Sequence, residues 1–274
     1  MNAYNNIKFI FYDKKMSNNA SRIRLWLRIK GIGPKNGGVE TRWIESESEL
    51  KSESYTSIVP TKKCPALTIV GSDGQPTITI FESDVIMRYL EDRFPNAVPS
   101  LTLDAPEERA LVNLMVRMHD IYLASPNCTQ PHFSHTQGCM YLTPYPTDYC
   151  PKERTMSIEV RAAKVAEIYK QLSWLECQVQ LPYLAGNRLS HADCTIFPTI
   201  LFMEFMLPRV FGWNPIFNTF TELGKWFHNC RENEHFALSH AEILKELRYK
   251  EQHNHFDPII EDVEQHPEFK WKYI

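Results

Sequence analysis

The chain reads as an α/β half of order βαβαββα followed by an all-helical half, and three observations predict this. Short runs of strand length, rich in β-branched and aromatic residues, stop near Phe81. Beyond Pro106, long stretches with helical periodicity replace them. Between the two, Phe94-Pro95-Asn96-Ala97-Val98-Pro99 interrupts any regular element. The predicted organisation is residues 1–97 as the first domain, 98–106 as a linker and 107–274 as the second. At 274 residues and 43% hydrophobic content, the chain is long enough for two cores.

In order, Ile7-Lys8-Phe9-Ile10-Phe11-Tyr12 predicts a buried strand, and a polar stretch from Asp13 to Asn19 leads to a helix over Ala20 to Lys30 with Ile23, Leu25, Trp26, Leu27 and Ile29 as its apolar positions. Gly31, Gly33 and Pro34 stop that helix, and Val39 to Ile44 alternates as a second strand. The charged stretch Glu45 to Ser54 reads as a poorly formed helix or a loop. Strands Leu67 to Val70 and Thr77 to Phe81 flank the turn Gly71-Ser72-Asp73-Gly74, and a helix runs from near Asp84 through Arg93.

In the second half, Glu107 to Leu123 and Met156 to Val179 have helical periodicity, the latter with Ile158, Val165, Ile168, Leu172, Leu175 and Val179 on its core face. The stretch from Ser125 to Pro151, rich in Pro, Tyr, Cys and His, is too long for a simple connector and reads as an inserted loop. Ser190 and Asp193 have the spacing of a capping box, with Leu189 just outside as a staple. The helix they open runs almost uncharged through Phe205, with Pro198 as a kink point, and is expected to be central. Phe220 to Cys230 and His235 to Leu247 predict two more helices. A tail from Asp257 to Ile274 ends in Phe269-Lys270-Trp271-Lys272-Tyr273, aromatic enough to dock.

A net charge of −3 gives no electrostatic reason to expect nucleic acid or an anionic membrane as partner. No apolar stretch reads as a membrane span, and Met1 to Asn6 lacks the basic and apolar regions of a signal peptide, so a cytoplasmic location is expected. Seven scattered cysteines do not form a secreted disulfide framework and are expected to be mostly reduced.

Two local signals carry chemistry. Cys64-Pro65, just before the run Ala66 to Val70, predicts a rigid turn, open to either the cis or the trans form, that leaves the Cys64 backbone free to receive an extended peptide. Glu82-Ser83 stand where a strand gives way to a helix, whose free N–H groups suit a carboxylate while Glu82 suits an ammonium. Together they point to a small thiol peptide, glutathione. Each alone also has a plain structural reading, as a structural proline and as N-capping by Ser83.

With these pieces in order, the chain resembles a cytosolic glutathione transferase over roughly residues 7 to 240. The resemblance is carried by Ser21-Arg22-Ile23-Arg24, Lys62-Lys63-Cys64-Pro65-Ala66-Leu67, Glu82-Ser83-Asp84-Val85-Ile86, Arg88-Tyr89-Leu90 and Gly186-Asn187-Arg188-Leu189-Ser190-His191-Ala192-Asp193. It implies a thioredoxin-like first domain and a helical second one. It implies that the Cys64 backbone pairs with the cysteinyl part of glutathione beside Pro65, that Glu82 and Ser83 hold the γ-glutamyl end, and that Lys62 or Lys63 meets the glycine carboxylate. It also implies a homodimer and a role in detoxification.

The family activates the glutathione sulfur with a hydroxyl or thiol between the first strand and the first helix. Counting back from Arg22 as the serine-type classes do reaches Ser17, whose hydroxyl, with the adjacent helix N-terminus, would stabilise a thiolate. Asn18 is the nearest rival, and Tyr12 at the strand end resembles the activating tyrosine of other classes. No cysteine lies between Tyr12 and Arg22, which departs from the cysteine-type classes and argues against thiol transfer through a mixed disulfide. Cys64 departs from the aliphatic residue common before that proline and reads as packing.

The resemblance therefore implies conjugation of glutathione to a small apolar electrophile or reduction of a peroxide, with an isomerase or lyase sharing the same chemistry. The alternative is a non-catalytic binding or assembly module, or a carrier of a hydrophobic ligand. Cys128, His132, His135, Cys139 and Cys150 match no defensible zinc pattern, so no metal is expected and the inserted loop reads as a lid that sets substrate choice. His119 and Tyr122 on the preceding helix are candidate lining residues, although such residues on an amphipathic helix are more often simply packed or solvated.

Overall fold

In a computed structural model the described residues are 7–124, 136–148 and 150–274. They divide into two compact units, Met1–Leu103 and Asp104–Ile274.

The first unit is built on β1 (Lys8–Asp13), α1 (Asn18–Ile29), β2 (Val39–Trp43), α2 (Glu47–Leu50), α3 (Glu53–Thr56), β3 (Ala66–Val70), β4 (Pro76–Phe81) and α4 (Ser83–Arg93). The strands form one sheet of order β2-β1-β3-β4, with β1 parallel to β2 and antiparallel to β3, and β3 antiparallel to β4. This is the thioredoxin-like βαβαββα arrangement expected from the sequence. β1 lies inside the sheet and buries both faces: Phe9 and Phe11 on one, Tyr12 on the other. Edge strand β2 is exposed along most of its length.

The stretch expected to be a poorly formed helix or loop is two single-turn helices, because Ser46 and Ser52 cap them by accepting from the N–H groups of Glu49 and Tyr55. Between β3 and β4 the chain turns at Gly74, whose φ of +77° suits a residue without Cβ, and Asp73 accepts from the Gln75 N–H at 3.0 Å.

The second unit contains α5 (Pro106–Met118), α6 (Ile158–Gln178), α7 (His191–Phe211), α8 (Thr221–Glu232), α9 (Glu234–Gln252) and α10 (Asp257–Glu264). α7 is central and packs against α5, α9 and α10. Contrary to the expectation that no stretch has the character of a membrane span, α7 is long and apolar enough for one by length and composition; within this fold, however, it is a core helix, buried along nearly all its length. Its start is closed by the capping box read from Ser190 and Asp193. Asp193 is fully buried and accepts four hydrogen bonds: Leu184 N–H at 2.9 Å, Ser190 N–H at 2.8 Å, Ser190 Oγ–H at 2.8 Å and Trp226 Nε1–H at 2.8 Å. Burial pushes its carboxyl above the ordinary range, against donors that pull it down.

One feature of this unit was not read from the sequence. The tail is partly helical, since α10 carries Pro258 in its first turn and buries Ile259 and Val263 on one face. The aromatic end then docks within the helical unit. The Trp271 carbonyl accepts from Trp213 Nε1–H at 2.7 Å, the Trp271 ring stacks on Phe211, and the Tyr273 ring packs on Tyr169 with centroids 5.2 Å apart.

Candidate functional site

Strand register decides what meets what. Tyr12 pairs with Ala66, and Ala66 pairs with Phe81. The segments just beyond those residues therefore emerge together at one end of the sheet: the loop from Asp13 to Ser17, the dipeptide Cys64-Pro65, and Glu82-Ser83. Helices α1 and α4 both begin at this end, so their positive N-termini belong to it.

Ser17 is the N-cap of α1. Its Oγ accepts from the Ala20 N–H at 3.2 Å, and its hydroxyl proton has no acceptor among the described residues. Met16 before it has φ +64°, which turns the chain from β1 into the helix. Asn18, the first residue of α1, is buried. Tyr12 is packed: it is 2% exposed, sits in a cluster with Ile44, Leu50, Tyr55 and Val59, and meets Tyr55 edge to face at 5.5 Å.

The Cys64-Pro65 peptide bond is cis. The Cys64 thiol donates to the Tyr12 carbonyl at 3.3 Å, and burial followed by the nearby Asp13 charge pushes it up, so it stays a thiol. Its backbone N–H and C=O have no main-chain partner among the described residues. Tyr55 holds the approach to it, donating its hydroxyl to the Lys63 carbonyl at 2.6 Å. Lys62 is exposed with φ +56°, and Lys63 is half-buried.

Glu82 is exposed and has φ +72°. No side chain caps α4; the first bond inside the helix is Ile86 N–H to the Glu82 carbonyl, which leaves the N–H groups of Ser83, Asp84 and Val85 open among the described residues. Ser83, 4% exposed, accepts hydrogen bonds on Oγ from Arg22 Nε at 2.8 Å and from Arg22 Nη2. Arg22 is itself 2% exposed. Two residues on, Arg24 serves another end, clamping Asp13 with contacts of 2.7 and 2.8 Å.

Two contributors were not assigned a role from the sequence. Arg22 stood only as part of a motif, although a charged residue among Ile23, Leu25 and Trp26 on a buried helix needs a partner. Tyr55 lies in a serine-rich charged stretch that gave no signal for burial.

Comparison with known proteins bears on the family and the fold. Residues 16–93 match the model of the glutathione S-transferase N-terminal domain, and residues 147–234 match that of the C-terminal domain. The chain belongs to the glutathione S-transferase family. A glutathione S-transferase domain-containing protein of Dictyostelium discoideum is 24% identical over 76% of each chain. Among solved structures, the β-etherase LigF of Sphingobium sp. shares the fold at a TM-score of 0.65 and 21% identity, covering 85% of this chain and 98% of that one. A glutathione transferase family member of Pseudomonas fluorescens, solved with two glutathione molecules bound, matches at a TM-score of 0.64 and 16% identity, covering 85% of this chain and 92% of that one. At these identities the structural likeness speaks for the fold.

Cys128, His132 and His135 lie outside the described residues. Cys139 and Cys150 are buried, and burial pushes the Cys139 thiol up to about 12. Among the described residues no group of three His, Cys, Asp or Glu side chains could hold a metal. The described part of the inserted loop packs inside the helical unit: Thr136–Met140 is a buried 3₁₀ turn, and Arg161, fully buried on α6, donates to the carbonyls of Cys139 at 2.6 Å and Leu142 at 2.8 Å. The lid expectation thus rests on residues 125–135, outside the described ones.

His119 is packed, with Nε2 2.7 Å from Thr199 Oγ1 and Nδ1 2.9 Å from Asp120, while Tyr122 is 42% exposed.

Proposed function

We propose that the chain binds glutathione at this end of the sheet and uses it as a transferase, conjugating it to a small apolar electrophile or reducing a peroxide. The observation that carries the reading is the shared register of β1, β3 and β4, which supports one ligand spanning Ser17, Cys64 and Ser83. The unpaired Cys64 backbone receives the cysteinyl main chain as an added strand. Glu82 takes the γ-glutamyl ammonium, Ser83 and the open α4 N-terminus take its carboxylate, and Lys62 or Lys63 takes the glycine carboxylate.

Ser17 then acts on the sulfur. Its Oγ lone pair is committed to Ala20, so the hydroxyl proton is the group left to donate to a thiolate, and the α1 N-terminus adds positive potential. Asn18 and Tyr12 are less suited, being buried and packed. A buried, protonated Cys64 and the lack of any cysteine between Tyr12 and Arg22 support conjugation over thiol transfer. A homodimer, as the family implies, and a cytoplasmic role in detoxification go with the same reading.

Ultraviolet difference spectroscopy of bound glutathione tests the mechanism. The parent should show a thiolate band at neutral pH; Ser17→Ala should bind glutathione within a few-fold of the parent, lose the band, and lose about 10²-fold in turnover, the scale of a deleted oxyanion donor. Binding without a thiolate in the parent would leave a non-catalytic binding module.

A further inference from the structure

We propose that Arg22 is a positioning residue for carboxylate recognition: by occupying the acceptor side of the Ser83 hydroxyl, it makes that group a dedicated donor to the α-carboxylate of a γ-glutamyl ligand. The proposal rests on the glutathione reading above and adds to it the residue that sets the polarity of the subsite. A serine hydroxyl has one proton and two lone pairs, so free in solution it serves a cation or an anion equally well. Here Arg22 Nε and Nη2 both donate to Ser83 Oγ. Arg22 and Ser83 are 2% and 4% exposed, so water does not substitute for either partner. The proton of Ser83 has no acceptor among the described residues, and donating is what remains to it.

The surroundings reinforce that sign. The guanidinium adds to the positive end of α4, where three N–H groups stand open among the described residues. The one anionic side chain in the first turn, Asp84, is drawn to Arg88, whose Nε donates to it at 2.9 Å. Glu82, next to Ser83 and exposed, supplies the opposite charge. The two ends of an α-amino acid group are thus told apart by adjacent residues, and Arg22 enforces one half of the distinction. Lysine would keep the charge but could not fork two donors onto one oxygen.

The test compares glutathione with an analogue in which 4-aminobutyrate replaces the γ-glutamyl residue, so that only the α-carboxylate is missing. Titration calorimetry on the full chain reads both ligands against the parent, Arg22→Gln, Arg22→Lys, Ser83→Ala and the Arg22→Gln/Ser83→Ala double variant. The parent should prefer glutathione strongly. Arg22→Gln should weaken glutathione about tenfold, the scale of a hydrogen bond to a charged group, while leaving the analogue unchanged. Ser83→Ala should do the same, and the double variant should be no worse than Ser83→Ala alone. If Arg22→Gln does not fold, Arg22→Lys carries the test, with an intermediate loss confined to glutathione. Equal losses for both ligands, or additive losses in the double variant, would overturn the role of Arg22 and leave glutathione binding intact. A parent that binds neither ligand would overturn the glutathione reading and this proposal with it.

Discussion

Two helix N-termini in this chain carry a serine at the start and an aspartate in the first turn, and the fold treats them in opposite ways. At α7, Ser190 and Asp193 close on each other, and the Asp193 carboxylate takes two further donors, from Leu184 and Trp226. At α4, the cap residue Glu82 is turned to φ +72°, no side chain among the described residues caps the helix, and Ser83 is held from behind by Arg22. A helix end whose donors are all used internally is a folding element. One whose donors stay open, at a backbone position that favours glycine, is available to a ligand, which is the role proposed for it above.

The largest effect should come from breaking the closed end. Asp193→Ala leaves four donors without their acceptor in a fully buried position, and should cost about 3–5 kcal/mol in chemical denaturation of the helical unit. A loss below about 1 kcal/mol would remove the ground for calling α7 structural at its start. Ser190→Ala should follow, at about 1–2 kcal/mol, because it removes the cap hydroxyl and its bond to Asp193 but leaves the carboxylate its other donors. Neither change should alter glutathione affinity in protein that remains folded.

The same contrast explains what was legible beforehand. The closed end could be read because Ser190 and Asp193 lie three residues apart and the capping box is a local code. The βαβαββα order of elements and the element boundaries at Cys64-Pro65 and Glu82-Ser83 were legible for a similar reason, since each boundary carries a local signal. What holds Ser83 was not legible. Arg22 lies on another helix, 61 residues away, and no spacing rule joins them. Arg161 is the parallel case in the helical unit: a charged residue on a long helix reads as surface, yet it is buried and binds the carbonyls of a loop 19 and 22 residues before it. Buried arginines were the systematic gap, because their partners are backbone or hydroxyl oxygens with no sequence signature. Helix α10 was missed for a different reason, being a single short apolar face, Ile259 and Val263, within a charged tail.

The smallest predicted effect is also the one that separates the two ends by sign. Glu82 occupies a positive-φ conformation that a residue with a Cβ adopts at a cost, and its exposed side chain makes no cap that would offset it. Glu82→Gly removes the Cβ conflict and should raise stability by about 0.5–1 kcal/mol after the extra chain entropy of glycine is counted. It should also weaken glutathione about tenfold by deleting the partner of the ammonium. At α7, Ser190 has φ −137°, extended backbone open to any residue, so Ser190→Gly has no strain to relieve and, deleting the same hydroxyl as Ser190→Ala, should lose about 1 kcal/mol. Thermal and denaturant unfolding of the two glycine variants side by side makes the comparison. Opposite signs mean that strain is kept at α4 for binding, whereas a loss of stability in both would mean that Glu82 braces the fold and the two helix ends differ only in how they are braced.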